Sequence, residues 1–141
     1  MGKKRIVKTG EEASESKAVV STVSKKKVET GILFVQSTYN NTKLVLTDTK
    51  GNVLGTSSSG SIGFKGAKKG TPFAAAKVGE IIGAKAFAMG MKEAHAVVKG
   101  VGSGRESGIR GFISKGINLL SIKDVTPVPH NGPKPKKPRR V

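Results

Sequence analysis

Between residues 31 and 125 the apolar positions come in short bursts separated by glycine, asparagine and serine. Ile32-Leu33-Phe34-Val35 runs through Gln36 to Thr38 into the turn pair Asn40-Asn41, and Lys43 to Asp48 then alternates polar with apolar residues, the pattern of a β-hairpin. A second turn, Asp48 to Asn52, leads to a short strand from Val53 to Ser58, so three strands form a meander. The period then changes from two to 3.6. Thr71-Pro72, an N-cap residue followed by a first-turn proline, opens a helix predicted to run toward Met89. Ala75, Val78, Ile82 and Ala86 share one face of it, Lys77, Glu80 and Lys85 lie away from that face, and Gly90 supplies the stop. Gly79 and Gly83 fall inside this helix, where each costs roughly 1 kcal/mol relative to alanine. Close packing of another backbone is the expected reason for them.

A strand from Ala94 to Lys99, the loop Gly100-Val101-Gly102-Ser103-Gly104, a helix from about Arg105 to Lys115 and a strand from Leu119 to Val125 complete the pattern. In the second helix Ile109, Phe112 and Ile113 are expected inward, with Gly116 as the cap. Three antiparallel strands followed by helix, strand, helix and strand imply an α/β fold. The sheet is mixed, with helices packed against it and the later strands parallel through right-handed crossovers. Residues 1–30 mix eight basic and four acidic residues with Ser, Thr, Val and Ala, and read as a disordered basic extension. Residues 126–141 hold five of the six prolines, five basic residues and no acid, which suits an extended cationic arm. The folded domain is therefore expected over residues 31–125.

Charge turns this scaffold into a hypothesis about partners. The 141 residues carry 26 Lys+Arg against 9 Asp+Glu, a formal net charge of +17 spread over both tails and the body, which calls for an anionic partner. With 35% hydrophobic and 4% aromatic residues the chain can bury one modest core, too little for a large cleft-bearing enzyme. The absence of cysteine excludes a disulfide framework, a thiolate zinc site and a cysteine nucleophile. Apolar runs such as Ile32 to Val35 are far too short to span a bilayer, and Glu11, Glu12 and Glu15 stand where a signal peptide needs its apolar stretch. Neither a membrane nor export is expected.

Catalytic groups are sparse. His95 in a strand and His130 in the proline arm have no partner at metal-ligand spacing, and an ordinary hydrogen bond suffices for His95. Asp48 and Asp124 sit at strand ends, as in two-metal nucleases, yet such a site needs several converging acids. Neither glycine-rich loop has nucleotide-motif spacing. Arg105 and Ser107 occupy the positions where a dinucleotide fingerprint needs its last glycine, and the Gly60 to Gly70 loop lacks the P-loop triplet. No cofactor or small-molecule substrate is indicated. Glycine-opened helix starts still present backbone N–H groups to any phosphate, and both helices begin this way.

Nucleic acid is the anion that uses two such helix starts, Lys65, Lys68 and Lys69, and two basic tails at once. RNA is favoured over duplex DNA, because there is no long basic recognition helix, zinc finger or basic zipper. Arg110-Gly111-Phe112 begins like an RNP1 box but falls in a helix. What remains is recognition of folded RNA through phosphates, 2′-hydroxyls and splayed bases. The Asn40 and Asn41 amides suit base edges or sugars, or simply satisfy the turn, and Tyr39 is open to stacking on a base or to packing in the core or at the edge of the fold. Asn131-Gly132 in a flexible arm is a site for succinimide formation.

These residues also carry a family resemblance. Tyr39-Asn40-Asn41-Thr42, Gly63-Phe64-Lys65-Gly66 leading to Thr71-Pro72-Phe73-Ala74-Ala75, Gly104-Arg105-Glu106-Ser107, and Asp124 to Gly132 with a basic end follow one another as in the family of the eleventh small-subunit ribosomal protein. From about Gly31 to Val141 the chain resembles that family in its bacterial or organellar form, although Val101 and Ser103 stand where the family often has prolines. The resemblance implies a ribonuclease-H-like topology, with a five-stranded mixed sheet, one antiparallel strand and flanking helices. It implies a nonenzymatic constituent of the ribosome, cytoplasmic or else in an organellar matrix, seated on the small-subunit platform near the messenger path and beside small-subunit proteins seven and eighteen. RNA contact then maps onto Asn40 and Asn41, onto Lys65, Lys68 and Lys69, and onto Arg105, Ser107 and Arg110. In the arm it maps onto His130, Asn131, Lys134, Lys136, Lys137, Arg139 and Arg140.

Overall fold

The structure, a computed structural model, describes residues 27–140, so the N-terminal extension up to residue 26 lies outside the described residues. Five strands, β1 (Thr30–Ser37), β2 (Thr42–Asp48), β3 (Val53–Ser58), β4 (Glu93–Gly100) and β5 (Asn118–Asp124), form one sheet in the order β3-β2-β1-β4-β5. β2 runs antiparallel to both neighbours, while β1 pairs with β4 and β4 with β5 in parallel. β2 is thus the single reversed strand of a mixed sheet, the α/β topology expected above. Helices α1 (Pro72–Ala88) and α2 (Gly104–Ile113) pack on each other and on the same face of the sheet. The folded unit begins slightly before β1: the Val28 N–H donates to Met89 O, and the Glu29 carbonyl accepts from Lys92 and Glu93.

Alternation decides which face is covered. Leu33 and Val35, Leu44 and Leu46, and Ala94, Ala96 and Val98 point under the helices and are buried, meeting Val78, Ile82 and Ala86 from α1 and Ile109 and Phe112 from α2. All four expected α1 core residues are buried there. Gly79 and Gly83 mark where the helices cross: a Cβ on Gly79 would strike Gly108 O and lie 2.9 Å from Phe112 N, and one on Gly83 would lie 2.9 Å from Phe112 O. The second helix differs from expectation at Ile113, which is 39% exposed. Ile109 and Phe112 are buried as expected, with Gly104, Gly108 and Gly111 beside them, and at about 100° per residue Ile113 falls past Ile109, on the far edge of that face.

α1 stops at Met89 because Gly90 follows with φ 81°, and Met91 returns its N–H to Ala86 O. At the other end Thr71 accepts from the Ala74 N–H (3.3 Å) and donates to Lys68 O (2.7 Å), tying the cap to a short 3-10 helix at Gly66–Gly70. That turn went unread in the sequence, since i→i+3 bonding over Gly, Ala and Lys leaves no hydrophobic period. Thr71→Ala is expected to lower stability by about 1 kcal/mol, measured as a lower urea midpoint at unchanged slope.

Candidate nucleic-acid interface

Connectivity gathers the site. β1, β3, β4 and β5 all point the same way, so each leaves the sheet at the same end, and a helix that follows such a strand must begin there. The β1–β2 turn, the loop before α1, the β4–α2 loop and the C-terminal arm therefore converge, although they lie far apart in sequence. The contacts are direct. Thr38 closes the hairpin turn, its N–H donating to Asn41 O (2.8 Å) and its Oγ1 accepting from the Asn41 N–H (3.1 Å). Gly102 donates its N–H to Ser37 O (3.0 Å) and lies against Thr38 O, Gly70 lies against Tyr39 O, and the Ser103 hydroxyl donates to Gly70 O (2.9 Å).

Lysines decorate this end. Lys65 and Lys68 are exposed and Lys69 is half-buried. The loop that bears them is anchored by Phe64, whose ring packs edge-on against Phe73 in the first turn of α1 at 6.0 Å between centroids. Lys77 Nζ lies 5.6 Å from the Phe73 ring centre. The start of α2 is left open, because Ser103 turns its hydroxyl to Gly70 and makes no side-chain cap. No capping side chain therefore takes up its first-turn N–H groups, which lie at the positive end of the helix dipole. Asn40 is exposed, whereas Asn41 is turned partly inward, its Oδ1 buried without a hydrogen-bond partner among the described residues.

The two carboxylates at this end are both engaged by arginines. Glu106 pairs with Arg110, four residues on and equally exposed. Asp124 pairs with Arg105, whose other nitrogen donates to Gly100 O (2.7 Å). Arg105 and Arg110, both expected to meet RNA, therefore also make pairs within the chain, and Arg105 fastens the end of β5 to that of β4. Thr126 completes the tether: its N–H (2.9 Å) and hydroxyl (2.6 Å) donate to Asp124 Oδ1, and its Oγ1 accepts from the Gly100 N–H (3.1 Å). These Thr126 bonds first, and then Arg105, hold the Asp124 carboxyl down to about 2, against 3.8 ordinarily. A depressed carboxyl pKa stabilises the state that depresses it, so the tether is complete above 3.8 and is lost as pH falls through about 2. Following the Asp124 side-chain carbon by NMR should give a midpoint near 2, rising toward the ordinary value in Thr126→Val.

Beyond Thr126 the arm is exposed from Pro127 to Arg140, carrying His130, Lys134, Lys136, Lys137, Arg139 and Arg140 outward; Asn131 turns the chain at φ 57°. Ser107 is half-buried one turn into α2. The strand-end acids do not meet. Asp48 lies opposite Gly31 and Asp124 opposite Val98, itself paired with Val35, so they are separated by roughly 13 Å along the strands and 14 Å across them. Asp48 caps its own turn, accepting from the N–H groups of Lys50 and Asn52 (both 2.9 Å) and from the Asn52 side chain, contacts that lower its pKa, the side chain most. His95 makes the ordinary strand contact expected of it, Nδ1 lying 2.7 Å from Ser121 Oγ.

A four-segment cationic end with its acids neutralised is a phosphate-binding geometry, and the family model for Ribosomal protein S11 matches residues 31–140. The chain belongs to the ribosomal protein S11 family. Membership makes it a structural, RNA-binding protein of the small ribosomal subunit, acting in translation. The match to the S11 family spans all four converging segments, including nearly all of the arm. Among the described residues no helix is long and apolar enough to cross a membrane.

Proposed function

We propose that this chain bridges folded ribosomal RNA hairpins on the platform of the small subunit, near the messenger exit where the Shine-Dalgarno pairing forms. In this reading the Asn40-Asn41 turn, Lys65, Lys68 and Lys69, the open start of α2 with Arg105, Ser107 and Arg110, and the arm from His130 to Arg140 each meet a phosphate, sugar or base. Small-subunit proteins seven and eighteen are its neighbours, the work is done in the cytoplasm, and no residue performs covalent chemistry. The supporting observation is the convergence of these segments at the carboxyl end of the sheet, with its two acids paired internally. A compact wedge with a trailing arm neutralises phosphates where RNA helices approach each other, and its specificity lies in shape.

A nucleic-acid chaperone outside the ribosome shares the charge but would bind many sequences alike. Binding of a labelled small-subunit ribosomal RNA in the presence of a large excess of duplex DNA separates the two. The platform reading expects the complex to survive that excess; displacement by equimolar DNA phosphate contradicts it.

A further inference from the structure

Tyr39 is left unused by the bridging role, and its surroundings are specific. It is 79% exposed, so the edge-packing reading of the sequence does not hold. Its ring borders a cleft of about 360 Å³ at the carboxyl ends of β1 and β4, whose walls include Gln36, Lys99, Val101, Thr126 and Pro127. Two walls are fixed in place. Tyr39 stands in the turn locked by Thr38 and Asn41, and Thr126 and Pro127 are held by the Asp124 and Gly100 tether. The sheet register sets the polar side. Gln36 has Lys43 as its neighbour on β2 and Lys99 on β4, so one amide lies between two cations on the uncovered face, with no acid lining the cleft.

We propose that this cleft takes a single nucleobase splayed out of the bound RNA, stacked on Tyr39. Resting on the RNA-binding reading, the proposal adds a stacking site for one base, which that reading does not assign. Each wall has a part that fits. An exposed aromatic ring beside apolar Val101 and Pro127 offers a π-face and a dry edge, and stacking of this kind tolerates any base. The Gln36 amide both donates and accepts, as a base edge requires. Lys43 and Lys99 flank it where the phosphates on either side of an extruded nucleotide must run. The mainly apolar walls and missing acids favour a base over an acidic peptide, whose carboxylates would need partners inside the cleft.

The chain holds one tyrosine and no tryptophan, so its ultraviolet emission reports on this cleft alone. The full chain is titrated with a fluorophore-labelled small-subunit ribosomal RNA transcript, reading label anisotropy for binding and tyrosine emission, corrected for RNA absorption, for the cleft. Emission should be quenched in step with binding. Tyr39→Ala should weaken binding roughly 5- to 150-fold with the salt dependence unchanged, because a stacked ring releases no counterions, while Tyr39→Phe retains affinity. Binding at full strength with unaltered emission, or a Tyr39→Ala chain that binds as tightly as its parent, overturns the base site while leaving RNA binding intact. A transcript that fails to bind overturns both.

Discussion

Gly79→Val is expected to unfold the domain or leave it barely stable at 25 °C. Helix propensity alone predicts the opposite sign, since replacing an interior glycine recovers a few tenths of a kcal/mol with valine and about 1 kcal/mol with alanine. The packing term reverses that. The new Cβ would meet the backbone of α2 at Gly108 O and at Phe112 N, 2.9 Å away, and neither atom can swing aside as the end of a side chain would. Relief requires α2 to lift from α1, opening the core around Phe112 and Ile82, both 0% exposed. Overpacking a well-filled core costs about 1–3 kcal/mol even where side chains give way, and a backbone obstruction sits at or above that range, against about 5–15 kcal/mol of total stability. Urea denaturation should show Gly79→Ala below the parent and Gly79→Val far lower or unfolded, with Ala84→Val on the exposed side of α1 near the parent. A higher midpoint for Gly79→Ala would mean that the helices are not in contact there.

Removal of residues 133–141 should have the largest effect on RNA binding. That segment carries Lys134, Lys136, Lys137, Arg139 and Arg140, and all five are exposed. Each cation that meets phosphate releases roughly 0.7 to 0.9 counterion, so the truncation should flatten the plot of log K against log salt by about 3.5 to 4.5. Lys65, Lys68 and Lys69 changed together to alanine should flatten it by about 2 to 3. The truncation deletes no strand or helix, so its thermal midpoint should stay where it was. An unaltered salt slope would show that the arm trails free of the RNA.

Much of the architecture was legible because local and global signals agree here. A short apolar run marked β1 and period-two alternation marked β2, Thr71-Pro72 marked the start of α1, and two glycines inside an otherwise good helix pointed to a crossing backbone that α2 supplies. Ile113 was misread because apolar spacing assumes that large residues alone define the buried face, whereas in α2 Gly104, Gly108 and Gly111 share it with Ile109 and Phe112 and turn it away from Ile113. The 3-10 helix had no periodic signal at all. At the interface, the sequence named the segments but could not assemble them. That Gly70, Gly102 and the hairpin turn touch follows from strand order, with β1 seated beside β4, which no local signal in the sequence carries. The Arg105 pairing with Asp124, 19 residues away, was hidden for the same reason. Exposure excluded the packing reading of Tyr39, and exposure depends on the whole fold.

If RNA is held at one end of this sheet, ultraviolet crosslinking within assembled small subunits, followed by mapping of the attached peptides, should give adducts in the hairpin turn at residues 38–41, in the loop at 64–70, at the start of α2 and along residues 127–140. Adducts confined to the opposite end, at the Asp48 to Asn52 turn and the Met89 to Lys92 connection, would contradict it.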